Sequence, residues 1–363
     1  LIKEQPKILL LSQWYPPAFR AGGPIKSVAN LVDLLRPESP IQIACSDSDI
    51  DGSKVEFNSK EIQCVNSSIE MKSLLRNHKG LIYVNSIFSW LWGIYPLLIS
   101  RKIIISPRGM LKPSALKKST FRKKLFLKLA NILGLYKEAH FIASNREEKI
   151  EIENAIRRFA GISIIENVGT KPVDQAPFIK KSIGELDLLF VGRIHPIKNL
   201  LFLLEALKSV DARINLKIIG PIEDGKYWTK CQKTISQLPN YHSVLFLDAQ
   251  PFERIQQELT KAHFLVSPTL GENFGHAIFD SFAHGRPVII SDQTPWSYLE
   301  KHKCGWDLPL KQEVWTKVLN QTADLNQDDF DSFCTNSLDF AKKHSDHTRL
   351  KELYLNLFTQ FQN

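Results

Sequence analysis

Three short segments carry residue types and spacings suited to chemistry. The first is Ser267-Pro268-Thr269-Leu270-Gly271-Glu272-Asn273-Phe274-Gly275-His276. Gly271 and Gly275 allow a sharp turn and a close approach of backbone to a ligand. A helix opening there presents unpaired N–H groups and a positive dipole end, which suit a sugar or a diphosphate. Glu272, held at the turn, can accept hydrogen bonds from sugar hydroxyls. Asp280 follows eight positions on. At ~3.6 residues per turn it stands roughly two turns into the helix, placed for another hydroxyl pair such as a ribose. A helix-capping turn with a solvated glutamate is the plain alternative.

The second segment is Gly192-Arg193-Ile194-His195-Pro196-Ile197-Lys198-Asn199, directly after the apolar run Leu188-Val191. Two fixed cations at one strand-to-helix turn can neutralise a diphosphate. Arg193 offers a planar fork and Lys198 a compact charge. Ordinary surface charge beside a loop is the competing reading, and His195 reads as a loop residue. The third segment is Gly22-Gly23, after Trp14-Tyr15-Pro16-Pro17 and before a helix beginning near Pro24. A glycine loop at a strand end can admit a phosphate or an acceptor closely, and a simple turn explains it equally well. No GxGxxG fingerprint and no Walker lysine pattern is present.

These segments need a scaffold that brings strand ends together. Apolar, β-branched runs recur at Ile8-Leu11, Ile41-Ala44, Leu81-Val84, Ile103-Ile105, Phe141-Ala143 and Ile162-Ile165. They resume at Leu188-Val191, Leu216-Ile219, Val244-Leu247, Phe264-Val266 and Val288-Ile290. Helical-period segments lie between them, such as Leu200, Leu201, Leu203, Leu204 and Leu207. Strands alternating with helices predict parallel sheets covered on both faces, and two series predict two doubly wound domains. The break falls near Glu166-Gly184, where Gly169, Pro172, Pro177 and Gly184 interrupt a stretch with few apolar residues. The expected boundaries are therefore 1–170, a linker over 171–184, and 185–340. A helical segment over 341–363 is expected to pack back towards the N-terminal domain. Ligands of open α/β sheets bind beyond the carboxyl ends of the strands, which is where the three segments lie.

Composition agrees with a globular chain. Of 363 residues, 43% are hydrophobic and 23% charged, enough for two cores without staples. Five scattered cysteines with no CxxC pair argue against a disulfide framework or a zinc site and fit a reducing cytoplasm. No secretory signal is visible. Leu81–Ser100 carries no charged side chain, but Asn85, Ser86, Ser89, Gly93 and Pro96 interrupt it. A strand running into a helix explains it better than a membrane span. The net charge of +9 suggests an anionic partner, and Arg101–Lys137 contains no acidic residue.

Taken together, the segments resemble the retaining glycosyltransferases of family 4, whose GT-B fold sets two Rossmann-like domains facing a central cleft. The resemblance rests on Gln13-Trp14-Tyr15-Pro16-Pro17 with Gly22-Gly23, the Ser106-Pro107-Arg108-Gly109-Met110 turn, Val191-Gly192-Arg193 with Lys198, and the Glu272 segment. It implies an N-terminal acceptor-binding domain and a C-terminal nucleotide-sugar domain. Arg193 and Lys198 would bind the donor diphosphate. Glu272 and the amides of Asn273, Phe274 and Gly275 would hold the transferred sugar. Gly22, Gly23, Gly192 and Gly220 complete the implied donor set, and Asn85 and Arg108 mark the acceptor side. The family carries a second glutamate where Asp280 stands, one methylene shorter. Some members carry a histidine near the position of Arg108.

Asp47-Ser48-Asp49 matches a metal-binding DxD only superficially, so neither a metal nor another cofactor is expected. Over Lys112–Lys128, Lys117, Lys118, Arg122, Lys123, Lys124 and Lys128 alternate with Leu116, Phe121, Leu125, Phe126 and Leu129. Such a helix can rest on an anionic membrane, or it can pack with solvated lysines. No nucleic-acid recognition fold accompanies the charge. The expectation is a cytoplasmic retaining glycosyltransferase, peripheral on the inner membrane face, serving bacterial polysaccharide or glycolipid synthesis. Its partners would be a nucleoside-diphosphate-sugar donor and a carbohydrate or lipid-linked acceptor. The alternatives are an epimerase or hydrolase of nucleotide sugars on the same fold, or a non-catalytic partner subunit.

Overall fold

The computed structural model of the protein describes residues 7–100, 102–117 and 120–361. Its strands are β1 (Ile8–Leu11), β2 (Ile41–Cys45), β3 (Ile62–Cys64), β4 (Leu81–Val84), β5 (Ile103–Ile105), β6 (His140–Ala143) and β7 (Gly161–Ile164), then β8 (Glu185–Val191), β9 (Arg213–Ile219), β10 (Ser243–Phe246), β11 (Phe264–Ser267), β12 (Val288–Ser291) and β13 (Gly305–Leu308). The helices are α1 (Gly23–Leu35), α2 (Ser68–Asn77), α3 (Tyr95–Ile99), α4 (Pro113–Lys117), α5 (Thr120–Ile132) and α6 (Arg146–Ala155), then α7 (Leu200–Leu207), α8 (Gly225–Ile235), α9 (Phe252–Leu259), α10 (His276–Ala283), α11 (Gln312–Ala323), α12 (Gln327–His344) and α13 (His347–Gln360).

Each apolar run of the sequence is a strand to within a few residues. The strands form two parallel sheets, of seven strands in the order β3-β2-β1-β4-β5-β6-β7 and of six in the order β10-β9-β8-β11-β12-β13. The two strands not anticipated, β3 and β13, are both edge strands. The chain divides into two compact units, Leu1–Val168 with His347–Asn363, and Gly169–Asp346.

Helices cover both faces of each sheet, which is why β1, β4 and β5 are apolar throughout and β8 is apolar from Leu188 onward. In the first unit, Val28 and Leu31 of α1 share one core with Leu350, Tyr354, Leu357 and Phe358 of α13. The opposite face buries Leu74 and Leu75 of α2, Leu127 and Ala130 of α5 and Ile152 of α6. In the second unit, Leu203 and Leu207 of α7, Cys231 of α8 and Trp315 and Leu319 of α11 cover one face. Leu259 of α9, Phe279 and Phe282 of α10 and Phe340 of α12 cover the other. The uncharged stretch Leu81–Ser100 is β4 followed by a π-helical turn, Trp90–Ile94, leading into α3. Among the described residues, no helix is long and apolar enough to cross a membrane.

The polar stretch from Gly169 to Gly184 packs along the second unit. Val173 N–H donates to Ala283 O at 2.9 Å and Gly184 N–H to Ala323 O at 3.0 Å. Arg286, fully buried, reinforces it. Its Nη2 donates to Pro177 O at 2.6 Å and to Thr260 O at 3.1 Å. Desolvation holds this guanidinium below the ordinary arginine pKa, so its hydrogen bonds must offset the burial of a charge. Arg286→Ala is expected to lower the stability of the second unit by about 3 kcal/mol, because half-buried carbonyls lose their donor and a cavity opens. Urea unfolding followed by tryptophan fluorescence checks this, and an unchanged midpoint would refute the clamp.

Candidate functional site

In an open parallel sheet, loops diverge where the strand order reverses, and that divergence makes a crevice at the carboxyl ends. In the second unit the reversal lies between β8 and β11. The loops that follow them are Gly192–Asn199 and Pro268–Gly275, the two segments singled out in the sequence. In the first unit it lies between β1 and β4. Their loops lead to Gly22-Gly23 and begin at Asn85.

The second unit brings most of its expected residues together. After β8 the backbone turns at Gly192, whose N–H donates to Ile219 O at 2.9 Å. Gly220 lies against this turn so closely that a Cβ there would sit 2.0 Å from Gly192 O. Pro196–Lys198 then forms one 3-10 turn, with the His195 side chain accepting from Ile197 N–H at 3.2 Å. His195 is thus a cap. Asn199 takes a left-handed conformation, φ 56°, and α7 starts. Leu201 N–H in its first turn donates to Tyr227 Oη at 2.8 Å. Burial pushes that phenol up to about 12, so it stays neutral.

Thr269 and Leu270 tie the two loops together. Leu270 N–H donates to Ile197 O at 2.8 Å, and Thr269 Oγ1 donates to the same oxygen at 3.1 Å. Ser291 Oγ, at the end of β12, donates to Thr269 O at 2.5 Å. Lys198 runs its aliphatic stem over Gly192 and pairs its ammonium with the Glu272 carboxylate. That pair is mostly shielded, with side chains 21% and 14% exposed. Arg193 is more open and pairs with Glu223. Gly275, φ 77°, is the N-cap of α10, and Phe279 N–H donates to its carbonyl at 3.0 Å. Asp280 is buried, and its Oδ1 accepts from Thr170 Oγ1 at 2.6 Å. One of its oxygens is therefore committed within the unit, a partnership that spacing along a helix does not reveal.

The first unit arranges its own polar centre. Gly22, φ 71°, precedes α1. The loop before it is held by Asp49, whose Oδ2 accepts from Phe19 N–H at 2.8 Å and Arg20 N–H at 3.0 Å. Asp47 pairs with Lys54. The Asp47-Ser48-Asp49 triplet thus has both carboxylates engaged in loop structure. Burial pushes the Tyr15 phenol in this loop up to about 12. Asn85 and Arg108 meet: Arg108 Nε donates to Asn85 Oδ1 at 2.5 Å. Its Nη1 donates to Ser27 Oγ and Asn167 Oδ1, and its Nη2 to Tyr83 Oη at 3.0 Å. Arg108 itself is left-handed, φ 50°. Glu148 holds the next residue by accepting from Gly109 N–H. Sequence reasoning missed Ser27, Tyr83, Glu148 and Asn167, because nothing local marks residues that converge from separate helices, a strand and a loop.

The comparisons with known proteins bear on this geometry. Residues 185–318 match the family described as glycosyl transferases group 1. An uncharacterized glycosyltransferase of Methanocaldococcus jannaschii is 33% identical over 103 residues, 28% of either chain. The O-antigen chain mannosyltransferase RfbU of Salmonella typhimurium is 31% identical over 131 residues, covering 36% of this chain and 35% of that one. The chain thus spans about a third of the length of the curated relatives it matches. Anabaena HepE, solved with UDP and glucose, superposes with a TM-score of 0.72 at 16% identity, over 98% of this chain and 99% of that one. That likeness is one of fold, the two-sheet GT-B architecture.

Two glycines at the crevice should respond differently to a methyl group. Gly220→Ala drives a Cβ into a carbonyl oxygen at φ 149° and is expected to cost about 1–3 kcal/mol. Gly192→Ala meets only flexible Lys198 carbons at 3.4 Å and should leave stability within about 1 kcal/mol. Thermal melting of both variants checks the order, and the reverse order would contradict the turn described.

Proposed function

We propose that the chain, whose residues 185–318 match the glycosyl transferases group 1, transfers a sugar from a nucleoside-diphosphate sugar to a hydroxyl acceptor with retention at the anomeric carbon. The observation that carries this reading is the Lys198–Glu272 pair at the crevice between β8 and β11. It sets a cation for a diphosphate beside an acceptor for sugar hydroxyls, next to a helix start that favours anions. Arg193 adds a second cation on the same turn. On donor binding, Lys198 and Arg193 exchange their carboxylate partners for the diphosphate, and Glu272 turns to the sugar.

Catalysis in this reading is mainly electrostatic. The C1–oxygen bond to the diphosphate breaks, negative charge grows on the departing phosphate, and Arg193, Lys198 and the amides before α10 stabilise it. By resemblance to the family, the leaving phosphate takes the acceptor proton on the face where the new bond forms. No step calls for a metal. The first unit would bind the acceptor, with Asn85 and Arg108 as parts of its polar centre. RfbU, named for O-antigen mannosyl transfer, supports a role in polysaccharide or glycolipid synthesis.

Lys198→Ala and Arg193→Ala are each expected to weaken nucleoside-diphosphate binding by roughly ten- to a hundred-fold, the loss of a charge-assisted hydrogen bond. Glu272→Ala should leave the free nucleoside diphosphate bound and abolish transfer. Calorimetry with that ligand, beside a transfer assay with the intact donor, separates the two roles. Equal losses for both ligands in Glu272→Ala would contradict the assignment to the sugar.

The reading also places the first unit on an anionic membrane. Helix α5 buries Leu127 and Ala130 while Phe121, Leu125, Leu129, Ile132 and the following Leu133 stay exposed, Phe121 at 79%. Arg122, Lys124 and Lys128 are exposed beside them, and Lys118 lies outside the described residues. Apolar side chains flanked by cations suit the headgroup boundary of an anionic bilayer. Co-sedimentation with phosphatidylglycerol vesicles should show binding that falls with salt and with Arg122→Glu/Lys124→Glu/Lys128→Glu. Equal binding to neutral vesicles, or none, would remove the membrane from the proposal.

A further inference from the structure

The Pro268–Gly275 loop is fixed at its start by Thr269 and Ser291. Its far end depends on Trp296, a residue no part of the functional reading has used. Trp296 is 9% exposed. Its indole Nε1–H donates to Phe274 O at 2.6 Å. The ring lies among Phe274, Phe279 and Phe282 at centroid distances of 5.4, 5.5 and 5.9 Å. From α12, Phe340 and His344 close round it, each at 6.1 Å. Packed on these sides, the indole can direct its N–H only along a narrow range.

We propose that Trp296 is a positioning residue that sets the direction of the Gly275 amide at the entrance to α10. Phe274 C=O and Gly275 N–H belong to one planar trans peptide, so they point in opposite directions. Holding the carbonyl towards Trp296 aims the amide away from the aromatic cluster. Glycine at position 275 would otherwise allow this peptide to rotate at small cost, because φ 77° lies in a region that glycine enters freely. The Gly275 carbonyl is already taken by Phe279 N–H as the first bond of the helix. The Gly275 N–H has no such partner among the described residues. In the proposed donor site it is one of the N–H groups at this helix start offered to a ligand oxygen. The inference rests on the proposed donor site and adds to it a reason why that site is preorganised. Preorganised donors need no reorientation as charge develops on the ligand.

Trp296→Phe keeps an aromatic ring and removes the N–H, and Trp296→His keeps a ring N–H on a smaller ring. Two measurements on the full chain read the proposal. In the donor-free protein labelled with [15N]glycine, Trp296→Phe should shift or split the Gly275 amide resonance, and Trp296→His should restore it in part. With the nucleoside-diphosphate sugar, Trp296→Phe should lower kcat about ten-fold and leave binding of the phosphate-free nucleoside unchanged. An unmoved Gly275 resonance overturns the proposal. So does a loss of nucleoside binding equal to the loss in kcat, which would mark Trp296 as packing only. If the wild-type chain binds no nucleoside-diphosphate sugar, the donor site falls, and the resonance still decides whether Trp296 orients the peptide.

Discussion

A lysine ammonium and a glutamate carboxylate 74 positions apart in the chain meet at the reversal of strand order in the second unit. Lys198 follows β8 and Glu272 follows β11, strands that lie side by side in the sheet while their helices leave to opposite faces. The meeting requires Gly220 to let two backbones touch. It also requires Thr269 and Leu270 to hold one loop to the other. A shielded pair of this kind gives little net stability, since desolvation offsets much of the attraction. In the proposed function it is a placeholder: Lys198 exchanges the carboxylate for a diphosphate, and Glu272 exchanges the ammonium for neutral sugar hydroxyls.

The two units use one architectural rule for different ends. In the second, a cation and a carboxylate at the reversal are paired with each other. In the first, the Arg108 guanidinium is bound by four neutral side chains, Asn85, Ser27, Asn167 and Tyr83. A cation with that many fixed partners acts as a post that joins β4, α1 and the segment after β7. It orders the loop that begins at Asn85 and the turn at Arg108 itself.

Much of this was legible in the residues. The central strands announce themselves because burial on both faces demands uninterrupted apolar runs. The edge strands β3 and β13 do not. Ile62-Gln63-Cys64 is short and polar at its centre, and Gly305-Trp306-Asp307-Leu308 opens with glycine and contains an acid. The turns that line the crevice were legible because glycine directly after an apolar run marks the carboxyl end of a strand. The partners that fix those residues were not. Asp49 under the first loop, Thr170 beside Asp280, and Trp296 behind Phe274 are joined to the site only by the fold. Composition reads Lys171–Gly184 as a polar stretch with few apolar anchors. What holds it on the second unit is backbone hydrogen bonding, the buried Arg286 and side chains such as Gln327 and Lys181, none of which has a local signature. The exposed stripe of α5 was half legible: the cations were plain, but which apolar residues the core takes is decided by packing.

The most direct test is calorimetric titration of the wild-type chain with UDP-, GDP- and ADP-sugars in the presence of EDTA. One nucleoside-diphosphate sugar is expected to bind at one site per chain, and its affinity should fall as salt screens Lys198 and Arg193. Absence of binding by every such donor, or binding of equal strength to the bare nucleosides, would contradict a diphosphate-sugar site at the β8–β11 crevice.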